Sequence, residues 1–153
     1  MAQNNLHPFE RHTAQTVEIS RTAGCAVLVE GDTIPTELYD PASNNPIAVL
    51  FSIRGLTERL MLRPHTPVKL GRFEPIDRQM DEMDLTAYGA ADRGVSRLHA
   101  AIHLEANQVF ITDLNSINGT SLGGVKLVPG CATLLPSGSK VTLGRLLIQV
   151  NFR

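Results

Sequence analysis

The central part of the sequence limits the possible folds more than any other part. Two apolar runs, at residues 99–104 and 108–112, flank the pair Ala106-Asn107, a pattern typical of two strands joined by a tight turn. Loops rich in small polar and basic residues lie outside these runs, at residues 94–98 and 113–120. Because a hairpin brings the outer ends of its two strands together, we expect these loops to face one another at one edge of a sheet.

The second loop contains the pair Asn118-Gly119, which predicts a tight turn. Glycine reaches positive φ because it has no Cβ, and asparagine tolerates positive φ because its short side chain bonds the local backbone. The sequence therefore predicts that both residues help to form this turn.

Short apolar runs separated by turn residues continue on both sides of the central hairpin. Residues 47–53 and 56–62 flank Arg54-Gly55, which predicts another hairpin. Further expected strands lie at residues 67–70, 84–86, 120–122, 125–127, 132–135, 140–143 and 146–150. No stretch of helical length keeps a 3.6-residue apolar period, so the sequence predicts an all-β fold.

The chain has 153 residues, of which 42% are hydrophobic, enough for one core. We expect one domain at residues 47–153 and a mobile N-terminal extension at residues 1–46, in which residues 25–29 are a candidate edge strand. The two cysteines, Cys25 and Cys131, lie in apolar runs and are predicted to be small buried thiols.

Charge and hydropathy limit the expected partners. The formal net charge is −1, so no overall field favours nucleic acid or an acidic membrane surface. No apolar run has the length of a membrane span. Neither nucleic acid nor a membrane is an expected partner, and the cytoplasm is the default location.

Four short motifs, taken in order, resemble those of the forkhead-associated (FHA) domain. They are Leu70-Gly71-Arg72, Ser96-Arg97-Leu98-His99, the stretch from Asp113 to Thr120, and Val141-Thr142-Leu143-Gly144. The resemblance covers roughly residues 47–153, and it is specific because the four motifs occur together at workable spacing. It implies a two-sheet antiparallel β-sandwich of the FHA type, with the ligand held by loops at one end.

The resemblance also implies a phosphothreonine site. Carried over by motif position, Arg72 and Ser96 bind the phosphate, Arg97 lines the site, and Asn118 binds the main chain of the ligand. Arginine suits a phosphate because its planar fork bonds two oxygens at once, and serine adds a short neutral donor. Exposed backbone N–H groups in a turn complete such a site.

Three further residues are expected to support the site, namely Gly71, Gly119 and His99. The two nitrogens of His99 can bond a neighbouring loop and fix the backbone shape that presents Ser96. His99 and His103 are four apart, but on a strand this spacing separates them by ~13 Å, too far for one metal ion. Neither a metal nor another cofactor is expected.

The chain departs from the family pattern at Ile117, where many relatives have a threonine whose hydroxyl helps to hold phosphate. Ile117 cannot donate a side-chain hydrogen bond, so the phosphate would depend on Arg72, Ser96, Arg97 and backbone N–H groups. Two alternatives are that Ile117 packs against an apolar part of the ligand, or that it plugs the end of the sandwich.

A second departure is the segment at residues 73–95, which is long for the family and rich in acidic residues. Five acidic residues precede Leu85, namely Glu74, Asp77, Asp81, Glu82 and Asp84. An acidic loop beside a phosphate site either weakens anion binding or selects a ligand with basic flanks. The alternative is that the segment is a solvated insertion.

These observations predict a phosphothreonine-peptide binding module, an adaptor in Ser/Thr-kinase signalling whose partner is a Thr-phosphorylated protein or peptide. The alternative is an interaction scaffold of the same fold with a weak or lapsed phosphate site, which Ile117 favours and the intact Arg72 and Ser96 oppose. An enzyme is not expected, because the sequence shows no nucleophile motif, phosphate loop or metal set.

The N-terminal extension is a further candidate ligand. It contains Thr13, Thr16, Thr22, Thr33 and Thr36. A phosphorylated extension would compete with other partners at high effective concentration and so act as a self-inhibiting switch.

Overall fold

The computed structural model describes residues 45–73, 79 and 81–153. The first strand begins at Ile47, the first residue of the expected domain. The candidate edge strand at residues 25–29 and the threonines of the N-terminal extension lie outside the described residues, as do Glu74 and Asp77.

The described part of the chain forms eleven strands and a single 3₁₀ turn, at Thr86–Tyr88. The strands are β1 (Ile47–Ile53), β2 (Leu56–Leu62), β3 (Val68–Gly71), β4 (Glu82–Asp84), β5 (Leu98–Glu105), β6 (Gln108–Asp113), β7 (Thr120–Leu122), β8 (Val125–Lys126), β9 (Thr133–Leu134), β10 (Ser139–Leu143) and β11 (Leu146–Phe152). Within these residues, no helix has the length and apolar character needed to cross a membrane.

The strands form two sheets. One has six strands in the order β2-β1-β11-β10-β7-β8, and the other has five in the order β4-β3-β5-β6-β9. Neighbouring strands are antiparallel except β3 and β4, which pair in parallel from Lys69 opposite Glu82 to Gly71 opposite Asp84. The predicted all-β, two-sheet sandwich is confirmed, with this one parallel pair as an addition.

A single hydrophobic core lies between the two sheets. The six-stranded sheet contributes Phe51 and Ile148, and the five-stranded sheet contributes Ile102 and Ile111, all fully buried. Burial alternates along β6, as expected for a strand with one face on the core. Each such side chain contributes about 1.5–3 kcal/mol on leaving water, so the core holds the loops at the ends of the sandwich in place.

The tight turns follow the sequence in two of three cases. Arg54-Gly55 joins β1 to β2 and Ala106-Asn107 joins β5 to β6, and all four residues have positive φ, between 49° and 84°. This is the conformation that two-residue hairpins favour, so both predicted hairpins are confirmed. In the third loop, Gly119 has the positive φ (81°) that was expected, but the asparagine with positive φ is Asn115 (60°) and not Asn118.

The long segment between β3 and β5 contributes several side chains to the core. Met83, Leu85, Tyr88 and Ala90 are all buried. The interpretation of this part as a solvated insertion is therefore wrong. The strand expected at residues 84–86 ends at Asp84, and the 3₁₀ turn follows it.

Cys131 lies just before β9. Its side chain is buried, as expected, but it is disulfide-bonded. The prediction of a free buried thiol at this position is therefore wrong. Cys25 lies outside the described residues.

Candidate functional site

Two loops predicted to face one another meet at one end of the sandwich. The loop before β5 and the loop after β6 are joined by a hydrogen bond from the backbone N–H of Ile117 to Oγ of Ser96, at 3.1 Å. The end of β3 joins them, because the backbone N–H of Arg72 donates to the carbonyl of Arg97 at 2.9 Å. Three stretches that are distant in sequence thus form one surface.

Arg72 is held firmly at its near end. Its Nε donates to the carbonyl oxygen of Val95 at 2.6 Å, and the side chain is half-buried. Its two terminal nitrogens have no hydrogen-bond or ion-pair partner among residues 45–73, 79 and 81–153. A guanidinium fixed through Nε therefore presents its planar fork for an anion.

Gly71 is required by close approach and not by an unusual φ. A Cβ at this position would lie 1.9 Å from the carbonyl oxygen of Arg97, far inside contact distance. Only glycine allows the end of β3 to pass this close to the loop that carries Ser96.

Ser96 is bound on both its backbone and its side chain. Its backbone N–H donates to Nδ1 of His99 at 2.9 Å, and its Oγ accepts from Ile117. A serine hydroxyl can accept and donate at the same time. The hydroxyl proton of Ser96 is thus left to donate to a ligand.

His99 is fully buried and bridges the two loops. Since Nδ1 accepts from Ser96, the proton is on Nε2, which donates to the carbonyl of Gly119 at 3.0 Å. Burial lowers the pKa of His99 below its usual 6.5, although the bond to Gly119 and the charge of Asp113 oppose the change. The neutral imidazole is the form that joins Ser96 to Gly119.

Asp113 organises the loop after β6, a role that the sequence analysis missed. One carboxylate oxygen, Oδ1, accepts from the hydroxyls of Ser116 (2.5 Å) and Thr120 (2.6 Å), and Oδ2 accepts from the backbone N–H of Ser116 (3.1 Å). Burial by itself raises the pKa of Asp113, but these hydrogen bonds and His99 outweigh it, so the pKa is lowered overall. The Asp-x-x-Ser spacing was the available signal, because aspartate often bonds the backbone a few residues on.

Asn118 joins the loops through its side chain. Its Nδ2 donates to the carbonyl oxygen of Gly94 at 2.8 Å. Gly94 has a φ of 72°, and a Cβ there would lie 2.4 Å from the same nitrogen. Oδ1 of Asn118 accepts no hydrogen bond within the described part of the chain, so it is open to a ligand N–H.

The two remaining predicted residues, Arg97 and Ile117, are exposed. Ile117 is 88% exposed, so the alternative in which it plugs the end of the sandwich is wrong. Arg97 forms no ion pair with Asp92 or with any other residue that the structure describes. Both side chains are therefore free to meet a ligand.

The fourth motif, Val141-Thr142-Leu143-Gly144, ends in a turn that contacts both loops. Gly144, in the β10–β11 turn, donates its backbone N–H to the carbonyl of Gly119 at 3.0 Å. It has a φ of 58°, and a Cβ there would lie 2.5 Å from the carbonyl oxygen of Arg93. The turn thus fits between the two loops, which explains the glycine.

Lys126 is a second residue that the sequence analysis missed. It is exposed on β8, and its side chain lies against Gly119, with Cε 2.5 Å and Nζ 3.1 Å from where a Cβ of that glycine would be. It adds a positive charge beside Gly119. No local pattern marked it, because the contact depends on how β8 pairs with β7.

Three acidic residues early in the segment between β3 and β5 bond their own neighbours. Asp81 and Glu82 each pair with Lys69 at 3.9 Å. Oδ1 of Asp84 accepts from the backbone N–H groups of Phe73 (3.3 Å) and Thr86 (3.0 Å) and from the Thr86 hydroxyl (2.6 Å). No group of three or more His, Cys, Asp or Glu residues suitable for a metal occurs within residues 45–73, 79 and 81–153.

Comparisons with known proteins agree with this geometry. Protein FraH of Nostoc sp. (strain PCC 7120) is 35% identical over 72 residues, which are 47% of this chain and 25% of FraH. The human nuclear inhibitor of protein phosphatase 1 is 38% identical over 63 residues, 40% of this chain and 18% of that protein. The chain thus spans a quarter or less of the length of these relatives.

The fold and the sequence motifs both indicate the same protein family. The FHA domain of a hypothetical protein from Arabidopsis thaliana is similar in structure, with a TM-score of 0.53 and 25% identity, covering 80% of this chain and 94% of that one. The FHA domain family model matches residues 68–144, which include all four motifs. The chain therefore belongs to the forkhead-associated domain family, whose members are phosphothreonine-binding modules rather than enzymes.

Proposed function

We propose that this chain binds phosphothreonine peptides and acts as an adaptor in Ser/Thr-kinase signalling. The observation that carries the proposal is the hydrogen bonding of Arg72. Its Nε and backbone N–H are both bonded to the loop before β5, while its terminal nitrogens have no partner among the described residues. An arginine held in this way is suited to bind two oxygens of a phosphate.

Other groups beside Arg72 suit the rest of such a ligand. The Ser96 hydroxyl supplies a neutral donor to the phosphate, and the exposed Arg97 supplies a second positive charge. Oδ1 of Asn118 accepts from the peptide main chain, while its Nδ2 stays bonded to Gly94. Each charge-assisted hydrogen bond is worth about 1.5–3 kcal/mol, so a few of them give a moderate affinity.

The site is already ordered without a ligand, which favours binding. His99 fixes the backbone of Ser96, and Asp113 fixes the loop that carries Asn118. Since these groups need no rearrangement, less conformational entropy is lost when the peptide binds.

The second candidate is an interaction scaffold whose phosphate site has lapsed. Ile117 favours it, because an apolar side chain 88% exposed at the site suits contact with an unmodified partner. In that case binding would not depend on phosphorylation or on Arg72.

Calorimetry with a degenerate phosphothreonine peptide library separates the two candidates. We expect wild type to bind the library and Arg72→Ala to show no detectable binding while melting normally. A matched control is Lys140→Ala, because Lys140 is exposed near the opposite end of β10. Equal binding of phosphorylated and unmodified peptides, unaffected by Arg72→Ala, would refute the proposal and support the scaffold.

A further inference from the structure

A second group of basic side chains lies beside the first site, around the loop at residues 89–94. It consists of Arg54, Arg93 and Arg145, which no sequence motif marked. We propose that these arginines form a second anion-binding site, and that it selects phosphothreonine peptides carrying another anionic side chain. This inference rests on the proposed function, because the same peptide occupies both sites.

Two of the arginines converge on Gly89. Nη1 of Arg93 and Nη1 of Arg54 lie 2.6 Å and 3.4 Å from the point that a Cβ of this glycine would occupy. Nη1 of Arg93 also donates to the carbonyl oxygen of Gly89 at 3.2 Å. Two guanidinium groups from different parts of the chain are thus held side by side.

The third arginine is fixed on the same loop. The backbone N–H of Arg145 donates to the carbonyl of Arg93 at 2.8 Å, and its Nη2 donates to the carbonyl of Asp92 at 2.6 Å. Its other terminal nitrogen and its Nε have no partner among the described residues. Arg145 therefore adds a third positive charge on the loop at residues 89–94.

No carboxylate of the described residues lies within 4.0 Å of these guanidinium nitrogens, although Asp92 precedes Arg93 and Glu58 bonds the Tyr88 hydroxyl next to Gly89. The ion pairs in the described part of the chain involve Lys69 and His103, and none involves Arg54, Arg93 or Arg145. Positive charges held close together repel one another, and a bound anion relieves the repulsion. The arrangement is thus that of an anion site and not of an internal salt-bridge network.

The backbone conformation of Arg54 independently indicates that its side chain has a role. Its φ is 50°, in the left-handed region, which asparagine or glycine occupies far more readily in such a hairpin. A residue in an unfavourable conformation points to a role for its side chain, because the cost has to be offset elsewhere. The guanidinium beside Gly89 provides that role.

One ligand can reach both sites, because the same short loop carries them. Nη2 of Arg145 donates to the carbonyl of Asp92, and Nε of Arg72 donates to the carbonyl of Val95, three residues on. Three residues span at most about 11 Å of extended chain. The second anion is therefore a carboxylate or a phosphate within a few residues of the phosphothreonine. The acidic residues before Leu85 suggested the opposite preference, but those that the structure describes bond Lys69, Phe73 and Thr86.

The test uses fluorescence anisotropy with the whole chain and labelled peptides of equal length. Each contains one phosphothreonine in a neutral sequence, and a set places glutamate or phosphoserine at each neighbouring position in turn. We expect a gain in affinity of about threefold to tenfold at one or two positions, the range of exposed charge-assisted contacts. A greater gain with phosphoserine identifies phosphate as the preferred anion, and equal gains show that a carboxylate is sufficient.

The deciding variant is Arg54→Asn, since asparagine suits the positive φ and should leave the melting temperature equal or higher. It should remove the gain without changing affinity for the neutral phosphothreonine peptide, and Lys140→Gln should keep the gain.

The inference is overturned if no position gives a gain, or if the gain survives in Arg54→Asn and in Arg93→Gln. A fall in affinity for all peptides alike also overturns it, because that indicates only a general charge effect. Failure of wild type to bind even the neutral phosphothreonine peptide overturns the proposed function as well.

Discussion

The backbone N–H of Ile117 donates a hydrogen bond to Oγ of Ser96 over 3.1 Å. This bond occupies the serine oxygen as an acceptor and leaves the hydroxyl proton to a ligand. Ile117 thus orients Ser96 through its backbone, while its side chain remains 88% exposed. The residue that departs from the family pattern still takes part in building the site.

Replacing Ser96 by alanine should weaken phosphothreonine binding by about 1.5–3 kcal/mol, because a hydrogen bond to a charged acceptor is lost. Stability should fall little, since the N–H of Ile117 is at the surface and can bond water. Calorimetry and thermal melting measure the two effects, with Ser121→Ala on β7 as the control. Wild-type affinity in Ser96→Ala would show that the hydroxyl does not contact the ligand.

Replacing Ile117 by threonine should tighten binding by about 0.5–1.5 kcal/mol, the typical net value of one added hydrogen bond. The melting temperature should not change, because the side chain is exposed and both residues are β-branched. Calorimetry with a single phosphothreonine peptide is the measurement. Weaker binding with normal melting would instead identify Ile117 as an apolar contact of the ligand.

Replacing Gly71 by alanine should destabilise the fold by about 1–3 kcal/mol, because the new Cβ forces the Arg97 carbonyl to move. Phosphopeptide binding should fall too, since Arg72 and Ser96 are both attached to that contact. Chemical denaturation and calorimetry on the same variant measure both. Gly138→Ala is the control: it meets nothing within 4 Å, so it reports the cost of positive φ alone. Wild-type stability in Gly71→Ala would contradict the steric argument.

Acidification should destabilise the domain in two steps. Because the folded-state pKa of His99 is lowered from 6.5, the unfolded chain binds more protons, and stability is lost as the pH falls below about 6.5. The lowered pKa of Asp113 has the same sign, and its contribution is lost below about 3.8. Burial also lowers the pKa of His103, so its protonation adds to the loss of stability below about pH 6.5.

Denaturation curves between pH 8 and 5 check the first step, for wild type, His99→Gln and His103→Gln. The slope of stability against pH should decrease in His99→Gln, and phosphopeptide affinity should fall as well because Ser96 loses its support. His103→Gln should lower the slope but keep the affinity. If His99→Gln keeps the wild-type slope, protonation of His99 does not destabilise the fold.

The strands and hairpins could be predicted from the sequence because they depend on local patterns. The alternating burial of β6 and the turn pairs Arg54-Gly55 and Ala106-Asn107 are encoded by neighbouring residues, and the structure follows them. The site residues Arg72, Ser96 and Asn118 were identified through family motifs, each lying within a few consecutive positions. Local patterns misplaced the positive φ of the asparagine in the last loop, which depends on how Asp113 bonds Ser116 and Thr120.

Only the tertiary structure decided what meets across the sandwich end. The clash that requires Gly71, the position of Lys126 over Gly119, and the approach of Arg54 to Gly89 all join residues from separate strands and loops. Strand order brings such residues together, and a sequence pattern with a period of two specifies which face a residue occupies but not its neighbour in the next strand. The partners of these side chains are therefore set by the packing of two sheets around one core.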